Sequence, residues 1–248
     1  MDNKVFCCAG YSPALEHAKA NLTRAGFRFT DTPGDEVTHL LLPVPSFDQY
    51  GQIRGSGNLN DILPKLHPDT TVIGGNIGNV KGLDLLRDSF YVTRNAALTA
   101  DCAIRFASRR MDMEWSNCRV LVLGWGRIGK CLSKSLDALG ATVIIAARKE
   151  EDRALASAFG LRAVSFVDLN PLISQQDIIF NTVPAPVLDE NQVNLCSNDC
   201  LLIELASKPG ILSDRAVPAL GLPGKMVPRS SGKLIAEAII RLISPKEG

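Results

Sequence analysis

The chain has 248 residues, 46% of them hydrophobic and 21% charged, which suffices for one large or two small domains with a buried core. A net charge of +1 supplies no electrostatic footprint for nucleic acid or an anionic membrane, and leaves a small molecule or a neutral protein surface as the partner. Residues 1–6 begin no signal-type apolar run, and no stretch approaches the ~18–20 apolar residues of a membrane span, so a cytoplasmic protein is expected.

Short apolar runs alternate with helical patterns, the signature of an α/β protein with a mainly parallel sheet. Residues 4–9 predict a strand, 13–25 a helix and 37–44 a buried strand limited by Pro43. Residues 46–60, rich in polar residues and glycine, predict a loop at the sheet edge. Two more short strands are predicted at 70–73 and 90–93. Between them Gly74-Gly75-Asn76-Ile77-Gly78-Asn79 suits a tight bend. A helix is predicted over 99–113, capped by Thr99, and the polar break at 114–117 marks a domain boundary.

The second half is more regular. Strands are predicted at 119–123, 142–147, 177–181 and 200–205. Helices are predicted at 127–139, at 150–159 with Gly160 as its stop, and at 231–243 with one apolar face. Four spans result: a small α/β domain over 1–95, a linking helix over 96–117, a dinucleotide-binding domain over 118–230, and a C-terminal helix over 231–248 that packs back on the first domain.

The chemistry lies in Gly124-Trp125-Gly126-Arg127-Ile128-Gly129. A lone GxGxxG is weak, but this one leaves a strand, opens a helix and sits in a βαβ unit of about 30 residues. Gly124 allows the turn, Gly126 lets backbone approach a pyrophosphate, and Gly129 lets the helix pack close to the sheet. Phosphates then meet unpaired N–H groups at the helix start. After the second strand comes Arg148-Lys149 rather than the acid that usually binds an NAD ribose, which favours NADP(H) over NAD(H). Asn181-Thr182-Val183-Pro184 and Leu205-Ala206, each at a strand's carboxyl end, are further expected cofactor contacts.

No histidine lies beyond His67, and the seven cysteines include no Cys-x-x-Cys pair. A disulfide framework, a zinc site and the Arg/Glu/His set of a D-2-hydroxyacid dehydrogenase are therefore disfavoured. His39 reads as a packed strand residue, and His17 and His67 as exposed ones. Cations are what the crevice offers. Lys208 is the candidate catalytic residue, with Ser207, Lys225 and Arg229 beside it and Asn76, Arg94 and Asn95 from the first domain as substrate contacts. Such residues suit an anionic substrate such as a carboxylate.

The segments 120–129, Ala147-Arg148, Asn181–Pro184, Leu205-Ala206-Ser207-Lys208-Pro209-Gly210 and Gly221-Leu222-Pro223-Gly224 occur in order, and together the series resembles the family of the dipicolinate synthase A subunit. The resemblance covers 93–243. It implies a Rossmann domain with a smaller flavodoxin-like N-terminal domain, as in D-2-hydroxyacid dehydrogenase-like architectures. It also implies NADP-linked conversion of a small dicarboxylate, hydroxytetrahydrodipicolinate, to dipicolinate in sporulation, in partnership with a separate flavoprotein subunit. In that family Asp and Arg are usual where this chain has Glu204 and Lys208. Three readings stay open: this enzyme, a non-catalytic NADP-binding partner subunit, and an NADP-dependent dehydrogenase for another small carboxylate. Exposed sheet edges also leave a homodimer open.

Overall fold

The computed structural model describes residues 4–244. Residues 1–3 and 245–248, part of the expected spans 1–95 and 231–248, lie outside them. The chain divides into two compact units, Met1–Asn95 with Pro223–Gly248, and Ala96–Leu222.

The first unit opens with β1 (Val5–Cys8) and α1 (Pro13–Arg24). Ser12 caps α1 by accepting from the Leu15 amide at 3.1 Å, with Pro13 in the first turn where its missing N–H costs nothing. Strands β2 (Arg28–Thr30), β3 (His39–Leu41), β4 (Thr71–Gly74) and β5 (Gly82–Asp84) complete a parallel sheet in the order β2-β1-β3-β4-β5. That is the flavodoxin-like order. His39 stacks on Phe6 with ring centroids 4.8 Å apart, and its Nδ1 lies 2.8 Å from Thr38 Oγ1; burial pushes its pKa down. It is a packed residue, as expected. His67 is exposed and His17 is half-buried.

Residues 90–93 correct the expected strand: they lie in the first turns of α2 (Ser89–Ser108). Asp88 accepts from the Tyr91 amide at 2.9 Å and so starts the helix, which then buries Tyr91, Ala96, Ala100, Ala103 and Ala107 at helical spacing. A cap and a continuous buried stripe outweigh the local strand preference of Phe-Tyr-Val-Thr. Thr99 is consequently inside this helix and caps nothing.

The second unit holds β6 (Arg119–Leu123), α3 (Arg127–Ala138), β7 (Thr142–Ala146), α4 (Glu150–Ala158), β8 (Arg162–Val164), α5 (Asn170–Ile173), β9 (Ile178–Asn181), α6 (Glu190–Val193), β10 (Leu201–Glu204) and β11 (Val217–Pro218). All its strands pair in parallel, in the order β11-β10-β9-β6-β7-β8, which is the doubly wound dinucleotide-binding order. The chain continues through α7 (Leu222–Met226) to α8 (Pro228–Ile243). In the first unit, α8 packs its Leu234, Ile235, Ala238 and Ile239 inward. A Cβ at Gly232 would lie 2.5 Å from the Ala14 carbonyl oxygen, so α8 meets α1 at backbone contact.

In the second unit Asp177 joins β9 to β6. It accepts from the Arg119 amide at 2.7 Å and from both sides of the Arg119 guanidinium, at 3.2 and 2.9 Å. The Arg119 hydrogen bonds hold its carboxyl below the usual carboxylate range against the opposing effect of burial. Its contribution is therefore complete above that range and is lost as pH falls through the lowered value. Asp177→Asn should cost about 1 kcal/mol near neutrality, modest because Arg119 is half-exposed. In urea unfolding, the difference from the wild-type protein should shrink toward zero as the pH falls below the usual carboxylate range.

Candidate functional site

Strands β6 and β9 lie side by side in register, Leu123 opposite Asn181, so the chain leaves both at one point. The sheet order reverses there, and in open α/β sheets ligands bind outside the carboxyl ends of the strands at such a point. Gly124 follows β6 with φ +103°, a conformation costly for other residues. A Cβ on it would stand 2.6 Å from Thr182 Oγ1, which itself donates to the Leu123 carbonyl at 2.8 Å. A Cβ on Gly129 would stand 2.2 Å from the Gly124 carbonyl oxygen. These two glycines are required by packing alone.

Gly126 differs. A Cβ there would meet nothing within 4 Å, and Gly126 is the N-cap of α3 without any side-chain cap. Its carbonyl accepts the first helical bond, from Lys130 at 2.9 Å. The first amides of α3 therefore have no helical acceptor, and they lie at the positive end of the helix dipole. A backbone bare of side chains at a helix start fits a diphosphate. Trp125 is buried, 6.4 Å from Phe159 by ring centroids, with Lys130 Nζ 5.9 Å from its ring centre. Its buried indole N–H has no acceptor among the described residues.

A cavity of about 710 Å³ opens beside this turn, lined by Gly124, Trp125, Gly126, Arg148, Thr182 and Pro184 among others. Lys149 and Asp152 also line it, from the start of α4, and Phe166 from the turn after β8. The two cations at the end of β7 are not equivalent. Lys149 Nζ pairs with Glu151 at 2.9 Å, and that hydrogen bond raises its pKa. Arg148 is exposed and has no ion-pair partner among the described residues. Arg153 braces the turn by donating to the Ala147 and Arg148 carbonyls at 2.9 and 2.8 Å.

Of the predicted cofactor contacts, Gly124, Trp125, Gly126, Arg148, Lys149, Thr182, Val183 and Pro184 line the one cavity. Arg127 and Ile128 open α3, and Gly129 is buried beneath the turn. Asn181 is fully buried, and it braces its own turn by accepting from the Val183 amide at 3.0 Å. Leu205 and Ala206 are buried past β10, whereas Ser207 and Lys208 are exposed.

The remaining expected substrate contacts belong to the first unit. Asn76 sits after β4 with φ +59°, its amide donating to Asp84 at 3.0 Å. Arg94 and Asn95 do not follow a strand as expected; they are helical residues of α2, and Arg94 lies 5.7 Å from the Phe90 ring centre. Lys225 lies in α7 and Arg229 in the first turn of α8. Asp152, Phe166, Pro186 and Val187 line the cavity without any sequence signal, because their direction depends on the paths of α4 and two loops. Glu204 stood out in the sequence only as the position where the resembling family usually has Asp, with no sign of what its side chain holds. Among the described residues no cluster of three or more His, Cys, Asp or Glu could hold a metal ion, and no helix is long and apolar enough to cross a membrane.

A strand order reversing over a glycine-built helix start defines the class, a dinucleotide-binding α/β protein. Residues 84–210, just over half of the chain, match the family of the D-isomer specific 2-hydroxyacid dehydrogenase NAD binding domain, and the chain belongs to that family. Within it the chain resembles the A subunit of dipicolinate synthase. It is 26% identical over 238 residues to that protein from Bacillus subtilis (strain 168), covering 86% of this chain and 80% of the relative. The solved structure of the Bacillus subtilis A subunit superposes with a TM-score of 0.85 at 20% identity, covering 98% of this chain and 96% of that one. Its counterpart from Bacillus halodurans superposes with a TM-score of 0.87 at 22% identity, covering 98% and 99%. These two likenesses concern the fold.

Two of the glycines should separate by experiment. Gly126→Ala has room in the protein, so its thermal stability should stay within about 0.5 kcal/mol of wild type apart from a small helix-start effect. The added methyl would occupy the approach of a diphosphate, and affinity for a reduced nicotinamide dinucleotide, measured by fluorescence titration, should fall at least ~10-fold. Gly129→Ala should instead lower stability and affinity together.

Proposed function

We propose that this chain is an NADP-linked oxidoreductase of the dipicolinate synthase type, acting on a hydroxylated tetrahydrodipicolinate in partnership with a flavoprotein subunit. A cytoplasmic location and a role in sporulation belong to the same reading. The observation that carries it is the pairing of the dinucleotide turn with the exposed tip Ser207-Lys208-Pro209 at the carboxyl end of a nearby strand of the same sheet.

The net change from the hydroxylated ring to dipicolinate is loss of one water and of two hydrogens, the latter as a hydride and a proton. A bound oxidised nicotinamide supplies the hydride acceptor. The diphosphate would lie against Gly126 and the first amides of α3, and the 2′-phosphate beside Arg148. Lys208, a cation on a short tip, is suited to hold a ring carboxylate, and Ser207 next to it can donate a further hydrogen bond. No imidazole is available in the second unit, since the last histidine is His67. Proton movement would therefore run through water, a hydroxyl or lysine rather than histidine.

One observation favours the second reading, a non-catalytic NADP-binding subunit. Glu204, the buried carboxylate next to the tip, has both oxygens already accepting hydrogen bonds from Asn181 and backbone amides. An absorbance assay for dipicolinate, from freshly made hydroxytetrahydrodipicolinate and NADP with and without the flavoprotein, separates the two. Product in either case supports the enzyme. Tight NADPH binding without product supports the non-catalytic role, and turnover of a different carboxylate supports another dehydrogenase.

The division of labour between the two cations gives a second test. Arg148→Ala should weaken NADPH binding at least ~10-fold while leaving NADH within about twofold. Lys149→Ala should have a smaller effect, because its ammonium is already paired with Glu151. NADH binding clearly more tightly than NADPH to the wild-type protein would overturn the NADP assignment.

A further inference from the structure

The end of β10 carries an arrangement that packing alone does not explain. Glu204 is 6% exposed and Asn181 is fully buried. Asn181 Nδ2 donates to both oxygens of Glu204, at 2.7 and 3.0 Å, and to the Val183 carbonyl at 2.9 Å. Oε1 of Glu204 also accepts from the Ala206 amide at 3.0 Å. Oε2 also accepts from the Gly210 and Ile211 amides, at 2.8 and 3.1 Å. A single carboxylate thus grips the chain on both sides of residues 207–209, the exposed stretch that carries Lys208.

The fit at the base of this tip is close. A Cβ on Gly210 would stand 2.3 Å from Asn181 Nδ2 and 2.8 Å from the Val183 carbonyl oxygen. The tip is therefore pressed against the turn that bears Thr182 and Val183, two residues lining the cofactor cavity. Thr182 in turn holds the Leu123 carbonyl just before Gly124. A continuous series of contacts runs from Gly124 through Thr182, Asn181 and Glu204 to the base of the Lys208 tip.

We propose that Glu204 and Asn181 are a positioning pair that fixes the Lys208 tip relative to the dinucleotide turn, so that the substrate's carboxylate is held at a set place beside the cofactor. The proposal rests on the reading of Lys208 given above, and concerns residues that act through it rather than on the substrate. Every hydrogen-bonding neighbour of the Glu204 oxygens is a donor. The site therefore requires an acceptor at both oxygens, which a carboxylate supplies and a carboxamide does not. Glu204→Gln preserves the volume, yet in either amide orientation it sets an NH₂ against N–H donors and leaves buried amides without acceptors.

The test uses Glu204→Gln and Glu204→Asp in the full chain, with Lys208→Ala as control. Amide hydrogen exchange at Gly210 and Ile211 should quicken at least ~10-fold in Glu204→Gln, while amides inside β9 and β10 keep their protection. NADPH affinity should stay within about threefold and kcat/KM for hydroxytetrahydrodipicolinate should fall ~10-fold or more, chiefly through KM. Glu204→Asp, which restores two acceptors, should recover part of both effects. Lys208→Ala should lose substrate use with exchange at Gly210 and Ile211 unchanged. Unchanged exchange in Glu204→Gln overturns the pair. So does faster exchange with unaltered KM, or loss of NADPH binding and substrate use in equal measure. If the wild-type protein neither forms nor binds dipicolinate, the reaction proposed above falls, and the exchange pattern still decides whether the pair holds the tip.

Discussion

Where β6 and β9 end side by side, the chain is packed so closely that neither Gly124 nor Gly129 has room for a Cβ. A Cβ at Gly124 would press on the Thr182 hydroxyl, and one at Gly129 would overlap the Gly124 carbonyl. This crowding brings the start of α3 down onto the sheet and aims its free amides outward at the switch point. The cofactor cavity, the turn after β9 and the tip after β10 are all placed relative to that contact.

The polar groups around this contact divide by how freely they can respond to a ligand. Lys149 is held by Glu151, and Asn181 and Glu204 have their hydrogen-bonding capacity filled by each other and by backbone. Arg148 and Lys208 are exposed at the ends of β7 and β10. The same division separates structural polarity, which is buried and saturated, from polarity available for recognition. Both exposed cations are open to anionic groups from solvent.

Much of the architecture was legible because buried parallel strands read as short apolar runs, and the helices between them as amphipathic segments. The runs at 120–123, 143–146, 178–180 and 201–203 announce themselves in this way. The edge strands β2, β5 and β8 did not, since Arg-Phe-Thr, Gly-Leu-Asp and Arg-Ala-Val are three residues each and partly exposed. Residues 90–93 misled for the opposite reason. Their aromatic and β-branched side chains favour a strand locally, but Asp88 caps a helix whose buried alanine stripe lies further along.

The sequence by itself determined the class of the site. Strand, glycine turn and helix are contiguous, and the demands of close packing and phosphate approach fall on neighbouring residues, so spacing alone expresses them. The tertiary structure added the physical ground for dividing the three glycines between turn, approach and packing, since it shows what stands opposite each missing Cβ. It alone separated Arg148 from Lys149 by giving one of them a partner. It alone brought Asn181 to Glu204 across 23 positions of sequence, because adjacency in a parallel sheet is made by strand order and not by distance along the chain.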